Sequence, residues 1–181
     1  MIQVSELSPN LRQACNCLVI AASVIVCAML SLSRLPGMEL LGIGPQWLLI
    51  WVVAWSVKRS PLQGAIAGLA LGLIQDGMTA PHPSHAISLT LIGIFTARLQ
   101  KQRYIQEDFI SIAMIVFAMG LIAETIMGLQ YGILGIKELG EIWLVNQRFA
   151  LASAILSSLW APAVYYPLNL WWKRMAALEQ G

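Results

Sequence analysis

Two acidic residues, Asp76 and Glu124, stand in long apolar stretches, where an ionisable side chain is costly and is often functional. A charged group at the centre of a bilayer costs at least roughly 2.5–3.5 kcal/mol. Asp76 adjoins a turn-rich segment, so it either caps a helix end or serves a functional site. Glu124 stands deeper in its stretch. It could join two helices by a hydrogen bond, contact a partner protein, or hold a proton or a ligand.

Two histidines stand near Asp76 as an H-x-x-H pair, His82 and His85, and such side chains together can bind a metal ion. Pro81 and Pro83 flank His82, so the pair cannot take the helical spacing that would place both rings on one face. The sequence contains no H-E-x-x-H, G-x-S-x-G or P-loop pattern. The polar loops are also too short for a separate catalytic domain. We therefore expect no metal site, no cofactor and no enzymatic activity.

Glycines recur every four residues before Asp76, at Gly64, Gly68 and Gly72, so they form one face of a helix. Within a membrane, such small residues let the backbone of another helix approach closely. Asp76 continues the same spacing, so its carboxylate is predicted to point towards the packed face. Glu124 stands in a similar row with three glycines: Gly120, Gly128 and Gly132. We predict helix-packing or partner-binding roles for five residues: Gly64, Gly68, Gly72, Asp76 and Glu124.

The composition of the chain shows which elements must position these groups. Of its 181 residues, 58% are hydrophobic and 11% charged, whereas typical soluble domains have about 45–50% and 25%. The mean hydropathy is +0.72. These values exclude a soluble globular domain and a disordered chain. The net charge of +2 gives no indication of nucleic-acid binding. The sequence predicts an all-α integral membrane protein whose surroundings are the lipid bilayer.

Charge-free windows indicate how many helices cross the membrane, because about 17–25 apolar residues span a bilayer. Residues 1–181 are predicted to form a single transmembrane domain of six helices. The predicted spans cover approximately residues 13–33, 40–57, 60–76, 84–98, 109–136 and 149–172. The three cysteines all stand in the first of these spans, so they predict no disulfide framework.

The basic residues predict the orientation of these spans, since cytoplasmic loops are enriched in Lys and Arg. With six spans, both termini share a side with eight of the 11 basic residues: Arg12, Lys58, Arg59, Arg98, Lys101, Arg103, Lys173 and Arg174. The opposite side carries the remaining three: Arg34, Lys137 and Arg148. Both termini are therefore predicted to be cytoplasmic.

The middle of the chain resembles a known family. Residues 64–76, which end in Gly-Leu-x-x-Asp, resemble the signature region of the rod shape-determining protein MreD. The length, the six predicted spans and the short loops agree with that family, and the resemblance is strongest over residues 44–103. Three further segments fit it: Pro45–Ile50, His85–Ile92 and the region around Leu159–Leu170.

The resemblance implies a non-enzymatic, multi-pass protein of the bacterial plasma (inner) membrane that belongs to the elongation machinery and helps maintain cell shape. Its implied partners are an MreC-like membrane protein and, through it, the actin-like MreB and the peptidoglycan synthases. The implied fold is similar to the six-helix substrate-binding subunits of energy-coupling-factor vitamin transporters.

That likeness supplies an alternative function, a vitamin-type substrate-binding subunit of a membrane transporter. In that case the acids would line a small-molecule pocket together with Trp47, Trp51 and Trp55, which recur every four residues. Simple packing is the other explanation for the tryptophan row. A transporter subunit should retain a small molecule on purification, whereas a scaffold should retain a partner protein.

Overall fold

The computed structural model describes residues 9–33, 37–40, 42–79, 83–100, 109–135 and 139–179. This part of the chain is helical, as predicted, with one isolated bridge between Leu40 and Ile43 in place of any β-strand. Its six helices are α1 (Pro9–Leu32), α2 (Trp47–Ser56), α3 (Pro61–Met78), α4 (His85–Gln100), α5 (Phe109–Ile133) and α6 (Leu139–Glu179). Three helical segments in it are long and apolar enough to cross a membrane: Asn10–Leu32, Phe109–Ile133 and Gln147–Ala177.

Helix α2 forms the centre of the bundle and contacts each of the other five helices. Nine of its ten residues are buried, and Trp55 is half-buried. A helix that is apolar all round belongs in an interior, because no face of it suits water. Ten residues rise only about 15 Å, roughly half of a bilayer core of about 30 Å.

The helical part of the predicted second span is therefore shorter than expected. The window 40–57 is free of charge, but only Trp47–Ser56 is α-helical. Leu40 and Ile43 exchange backbone hydrogen bonds of 2.9 and 3.0 Å, which close a tight turn. Gly42 has a φ of 78° in this turn, a left-handed conformation that glycine adopts without strain. The chain thus enters α2 through a turn where hydropathy alone predicts a helix.

Helices α3 and α4 form an antiparallel hairpin. Ser60 starts α3 with a capping box: its side chain accepts a hydrogen bond from the Gln63 backbone N–H, and the Gln63 side chain accepts one from the Ser60 N–H. Pro61 occupies the first turn, where its missing N–H costs nothing. The two helices lie so close that Gly64 faces Gly93.

Helices α5 and α6 form the second close pair, with Gly120 packed against Ala154. Helix α6 is 41 residues long, so the predicted span 149–172 lies within a longer helix. Pro162 and Pro167 both lie inside it. Helix α1 lies at the edge of the bundle with most of its surface exposed.

Two indole N–H groups attach α1 to the bundle. Trp51 Nε1 donates to Ser23 Oγ over 2.9 Å, and Trp171 Nε1 donates to Asn16 Oδ1 over 3.2 Å.

Candidate functional site

The three glycines predicted as a packing row all face α4. A Cβ atom on Gly68 would overlap the Leu89 carbonyl group and would lie 2.8 Å from the Thr90 Cα. On Gly72 it would lie 2.7 Å from the backbone nitrogen of Ala86. Real Cβ atoms essentially never come within 3.0 Å of another heavy atom in this way. The α3 and α4 backbones therefore touch without side chains between them.

One further glycine completes this contact, which we call the glycine seam: Gly64, Gly68, Gly72 and Gly93. A Cβ on Gly93 would overlap the carbonyl of Gly64, and a Cβ on Gly64 would lie 2.9 Å from the Gly93 carbonyl carbon. Gly93 was not among the residues predicted from the sequence. It is an isolated glycine in α4, so no repeat marks it; only the antiparallel pairing with Gly64 reveals its role.

Asp76 lies at the far end of the hairpin, where its carboxylate accepts four hydrogen bonds from the start of α4. Its Oδ1 accepts from the backbone N–H of His85 (2.7 Å) and bonds His85 Nδ1 (2.8 Å). Its Oδ2 accepts from Ser84 Oγ (2.7 Å) and from the Ala86 N–H (3.3 Å). Free N–H groups at a helix start favour a carboxylate, through both hydrogen bonding and the helix dipole. Asp76 thus caps α4 from α3.

A glutamine of α5 extends this group. Gln130 Oε1 accepts from the Ser84 backbone N–H (3.0 Å), and Gln130 Nε2 donates to the Ser84 carbonyl (3.2 Å). We call Asp76, Ser84, His85 and Gln130 the hairpin cap. It joins the ends of α3 and α4 to α5. His82, the other member of the H-x-x-H pair, lies outside the described residues.

Glu124 belongs to a different group, in the interior of the bundle. Its carboxylate accepts a hydrogen bond from Gln46 Nε2, and the Gln46 backbone N–H donates to Ser157 Oγ over 2.8 Å. We call Gln46, Glu124 and Ser157 the Gln46 cluster. It joins the residue before α2 to α5 and α6. A hydrogen bond between helices is one of the roles predicted for Glu124, and the bond from Gln46 is a contact of that kind.

The two acids do not share a site. Asp76 and Glu124 bond different partners, and their groups are connected along α5. There Gln130 of the hairpin cap follows Glu124 by six residues, about 9 Å along the helix.

Gln46 and Gln130 were not identified as candidates from the sequence. Each is an uncharged polar residue in a predicted span, and polar groups away from water need hydrogen-bond partners. That need marks both as candidates, although it does not identify their partners.

The tryptophan row of α2 packs against other aromatic rings. Trp47 lies 5.6 Å from Trp160 between ring centroids, and Trp55 lies 5.3 Å from Trp172. Trp51 stacks on Trp55 at 5.4 Å and is 2% exposed. Such ring pairs stabilise helix contacts beyond simple burial.

A cavity of about 260 Å³ lies between the end of α1, the turn before α2 and the end of α3. Drug-sized ligand pockets occupy about 300–1,000 Å³, so this one is small. Of the three α2 tryptophans, Trp47 lines it. Its polar lining residues are Ser31, Ser33, Glu39, Gln46, Gln75 and Thr79.

Comparison with known proteins gives one family. The family model described as rod shape-determining protein MreD matches residues 12–175 of the 181. Searches of curated proteins and of solved structures give no significant match. The family match covers all three groups described above.

Proposed function

Because the chain belongs to the MreD family of rod shape-determining proteins, we propose that it acts as a non-enzymatic scaffold of the bacterial elongation machinery. The resemblance predicted from the sequence is confirmed, and it makes the chain a membrane protein with a role in cell shape. The proposed partners are an MreC-like membrane protein and, through it, MreB and the peptidoglycan synthases. The match over residues 12–175 carries this proposal.

The proposed arrangement is a single domain of six transmembrane helices in the inner membrane, with both termini cytoplasmic and a fold like that of the energy-coupling-factor substrate-binding subunits. The distribution of charge supports the orientation. Arg59 and Arg98 each stand five residues from the Gly64–Gly93 contact, on the side away from the hairpin cap. Lys58 Nζ donates to Asn169 Oδ1 (2.9 Å), which places it beside the last turns of α6. A basic end of this kind is typical of the cytoplasmic side.

The five predicted site residues are proposed to shape the scaffold by packing its helices. The glycine seam leaves no space between α3 and α4. The carboxylates of Asp76 and Glu124 accept hydrogen bonds from within the chain. The partner surface is therefore proposed to be formed by the outer faces of a bundle that these contacts hold in one shape.

The transporter alternative has less support. It requires the tryptophans and the acids to face a ligand. Trp51 instead bonds Ser23 and stacks on Trp55, and Glu124 bonds Gln46. A scaffold in which Trp51 and Glu124 make internal contacts fits these observations better.

Affinity purification in mild detergent tests the function directly. We expect a tagged chain, co-expressed with the MreC-like protein of the same genome, to retain that protein and to restore rod shape in cells depleted of the chain. A stoichiometric small molecule, found in a well-folded preparation without a partner protein, would instead establish the transporter role.

Cysteine labelling tests the orientation. The three native cysteines are first replaced by alanine, and single cysteines are then introduced as Ser60→Cys and Thr79→Cys, two exposed positions at opposite ends of α3. An impermeant thiol reagent added outside the cell should label position 79 and not position 60. The reverse pattern would overturn the proposed orientation.

A further inference from the structure

An open apolar groove of about 380 Å³ runs between α4 and α5. Four apolar side chains and one guanidinium line it: Phe95, Leu99, Met119, Ile122 and Arg98. Met119 is buried and forms the floor, whereas Phe95 and Leu99 are 39% and 41% exposed and form one wall. The groove is thus apolar along its length with a cation on its rim.

The position of Arg98 in the bundle is set by the register of the helices. Ser84, at the start of α4, bonds Gln130, and Arg98 stands 14 residues later, about 21 Å along the helix. Arg98 therefore lies at the end of the bundle opposite the hairpin cap, where Lys58 and Arg59 also lie. Its side chain is exposed, as expected for an arginine whose head group extends to the membrane interface.

The charges around the groove favour an anion. Within the described part of the chain, no carboxylate lies within ion-pair distance of Arg98. Glu124 is two residues from Ile122, but its carboxylate bonds Gln46 in the interior. The guanidinium fork matches phosphate oxygens, with which it forms paired hydrogen bonds.

The shape and the charge together select the ligand. A hydrocarbon chain is narrow and flexible enough for a groove lined by four apolar side chains, and basic pockets between membrane helices bind anionic head groups. We propose that the groove between α4 and α5 binds an anionic glycerophospholipid. One acyl chain lies against Phe95, Leu99, Met119 and Ile122, and the phosphate pairs with Arg98. This site goes beyond the scaffold function and does not depend on it.

Native mass spectrometry of the full chain in neutral detergent tests the proposal. The probes are palmitoyl-oleoyl phosphatidylglycerol and the zwitterionic phosphatidylcholine with the same chains. We expect phosphatidylglycerol to bind more tightly. Arg98→Gln should weaken it about fivefold, which corresponds to ~1 kcal/mol for one basic residue near a membrane surface. Arg174→Gln removes the same charge at the same end of the bundle, away from the groove, and should leave the affinity unchanged.

A second pair of variants tests the groove itself. Ile122→Trp fills it and should weaken phosphatidylglycerol binding, whereas Ile110→Trp adds the same bulk to an α5 position that is 70% exposed and outside the groove. Size-exclusion profiles establish that each variant is folded. Glycerol phosphate, which has the head group without the chains, should not displace the lipid.

Three results would overturn the proposal. Equal losses for Arg98→Gln and Arg174→Gln would show general attraction between charges. Equal binding by Ile122→Trp and Ile110→Trp would show that no chain occupies the groove. Displacement by glycerol phosphate would show a site for free phosphate.

Discussion

The glycine seam and the Gln46 cluster hold the bundle together in opposite ways. In the seam, α3 and α4 are neighbours in the chain and their backbones touch because side chains are missing, as at Gly68 and Gly93. In the cluster, long polar side chains connect distant segments: Gln46 stands 78 positions from Glu124 and 111 from Ser157. The first contact depends on excluded volume, and the second depends on hydrogen bonds.

This difference determines which substitutions each region tolerates. A backbone contact cannot shift to accommodate a methyl group, so shape matters there more than polarity. A hydrogen bond between flexible side chains survives any replacement that keeps a donor or an acceptor at the same reach. Polar contacts within membranes contribute only about 0.6–2 kcal/mol each. We therefore expect the seam to be far more sensitive to small changes than the cluster.

The largest expected effect comes from adding one methyl group to the seam. Gly68→Ala places a Cβ in overlap with the Leu89 carbonyl and 2.8 Å from the Thr90 Cα. Overpacking of this kind costs about 1–3 kcal/mol and can cost more. We expect a clear loss of monodisperse protein and of thermal stability, measured by fluorescence-detected size-exclusion chromatography after heating.

The matched control lies in the same helix. A Cβ on Gly77 meets nothing within 4 Å, so Gly77→Ala should be neutral or stabilise α3 by about 0.5–1 kcal/mol. Gly93→Ala should behave like Gly68→Ala. Equal stability of all three variants would show that α3 and α4 are not in backbone contact.

The α3 side of this seam could be predicted from the sequence. The four-residue spacing of Gly64, Gly68 and Gly72 gives one helix face directly, because helical periodicity is local information. The opposite half could not be predicted in this way, since Gly93 has no repeat. Its partner follows only from the register of the hairpin.

The Gln46 cluster shows where hydropathy stops being informative. Glu124 was identifiable because a carboxylate in an apolar stretch is conspicuous, but its partner stands in a segment predicted to be a continuous helix. A charge-free window does not detect the turn at Gly42, which depends on backbone conformation. Distant hydrogen bonds such as Gln46–Ser157 follow from the tertiary structure and leave no local pattern.

The next largest effect is expected at the hairpin cap. It joins α3 to α4, as the glycine seam does, but through hydrogen bonds, as in the Gln46 cluster. Asp76→Ala removes the acceptor for the first N–H groups of α4, and the loss of a helix cap typically costs about 0.5–2 kcal/mol. Asp76→Asn should cost less, because the amide keeps one acceptor oxygen. Thr79→Ala is the control, since Thr79 is exposed and its Oγ1 donates to the nearby Gln75 carbonyl within α3. Thermal unfolding in detergent should show the largest loss of stability for Asp76→Ala, a smaller loss for Asp76→Asn and the smallest for Thr79→Ala. A loss for Thr79→Ala as large as that for Asp76→Ala would contradict the capping role of Asp76.

A smaller effect is expected in the Gln46 cluster. Glu124→Leu leaves the Gln46 amide without this acceptor, and we expect a loss of about 1 kcal/mol, the usual size for polar contacts in membranes. Glu124→Gln keeps the length and an acceptor oxygen, so stability and rod-shape complementation should both be retained. A Gln variant that folds normally but fails to complement would show that Glu124 acts through its proton or a ligand. That outcome would remove this residue from the proposed packing role.

The smallest expected effect tests whether hydrogen bonds alone can attach a peripheral helix. Trp51→Phe keeps an aromatic ring against Trp55 but removes the N–H that donates to Ser23 Oγ. Ser23→Ala removes the acceptor from the other side. The Ser23 hydroxyl also donates to the Ile20 carbonyl (2.7 Å), so the serine stays hydrogen-bonded when the indole is lost. Trp51→Phe therefore leaves the serine paired, whereas Ser23→Ala leaves the buried Trp51 N–H without this acceptor, so the contact is measured by a double-mutant cycle and not by either single variant. A double-mutant cycle on thermal stability should give a coupling of about 0.6 kcal/mol, the average for such contacts in membranes. A coupling several times larger would mean that polar links in this bundle rival the glycine seam, and the contrast between the two regions would then fail.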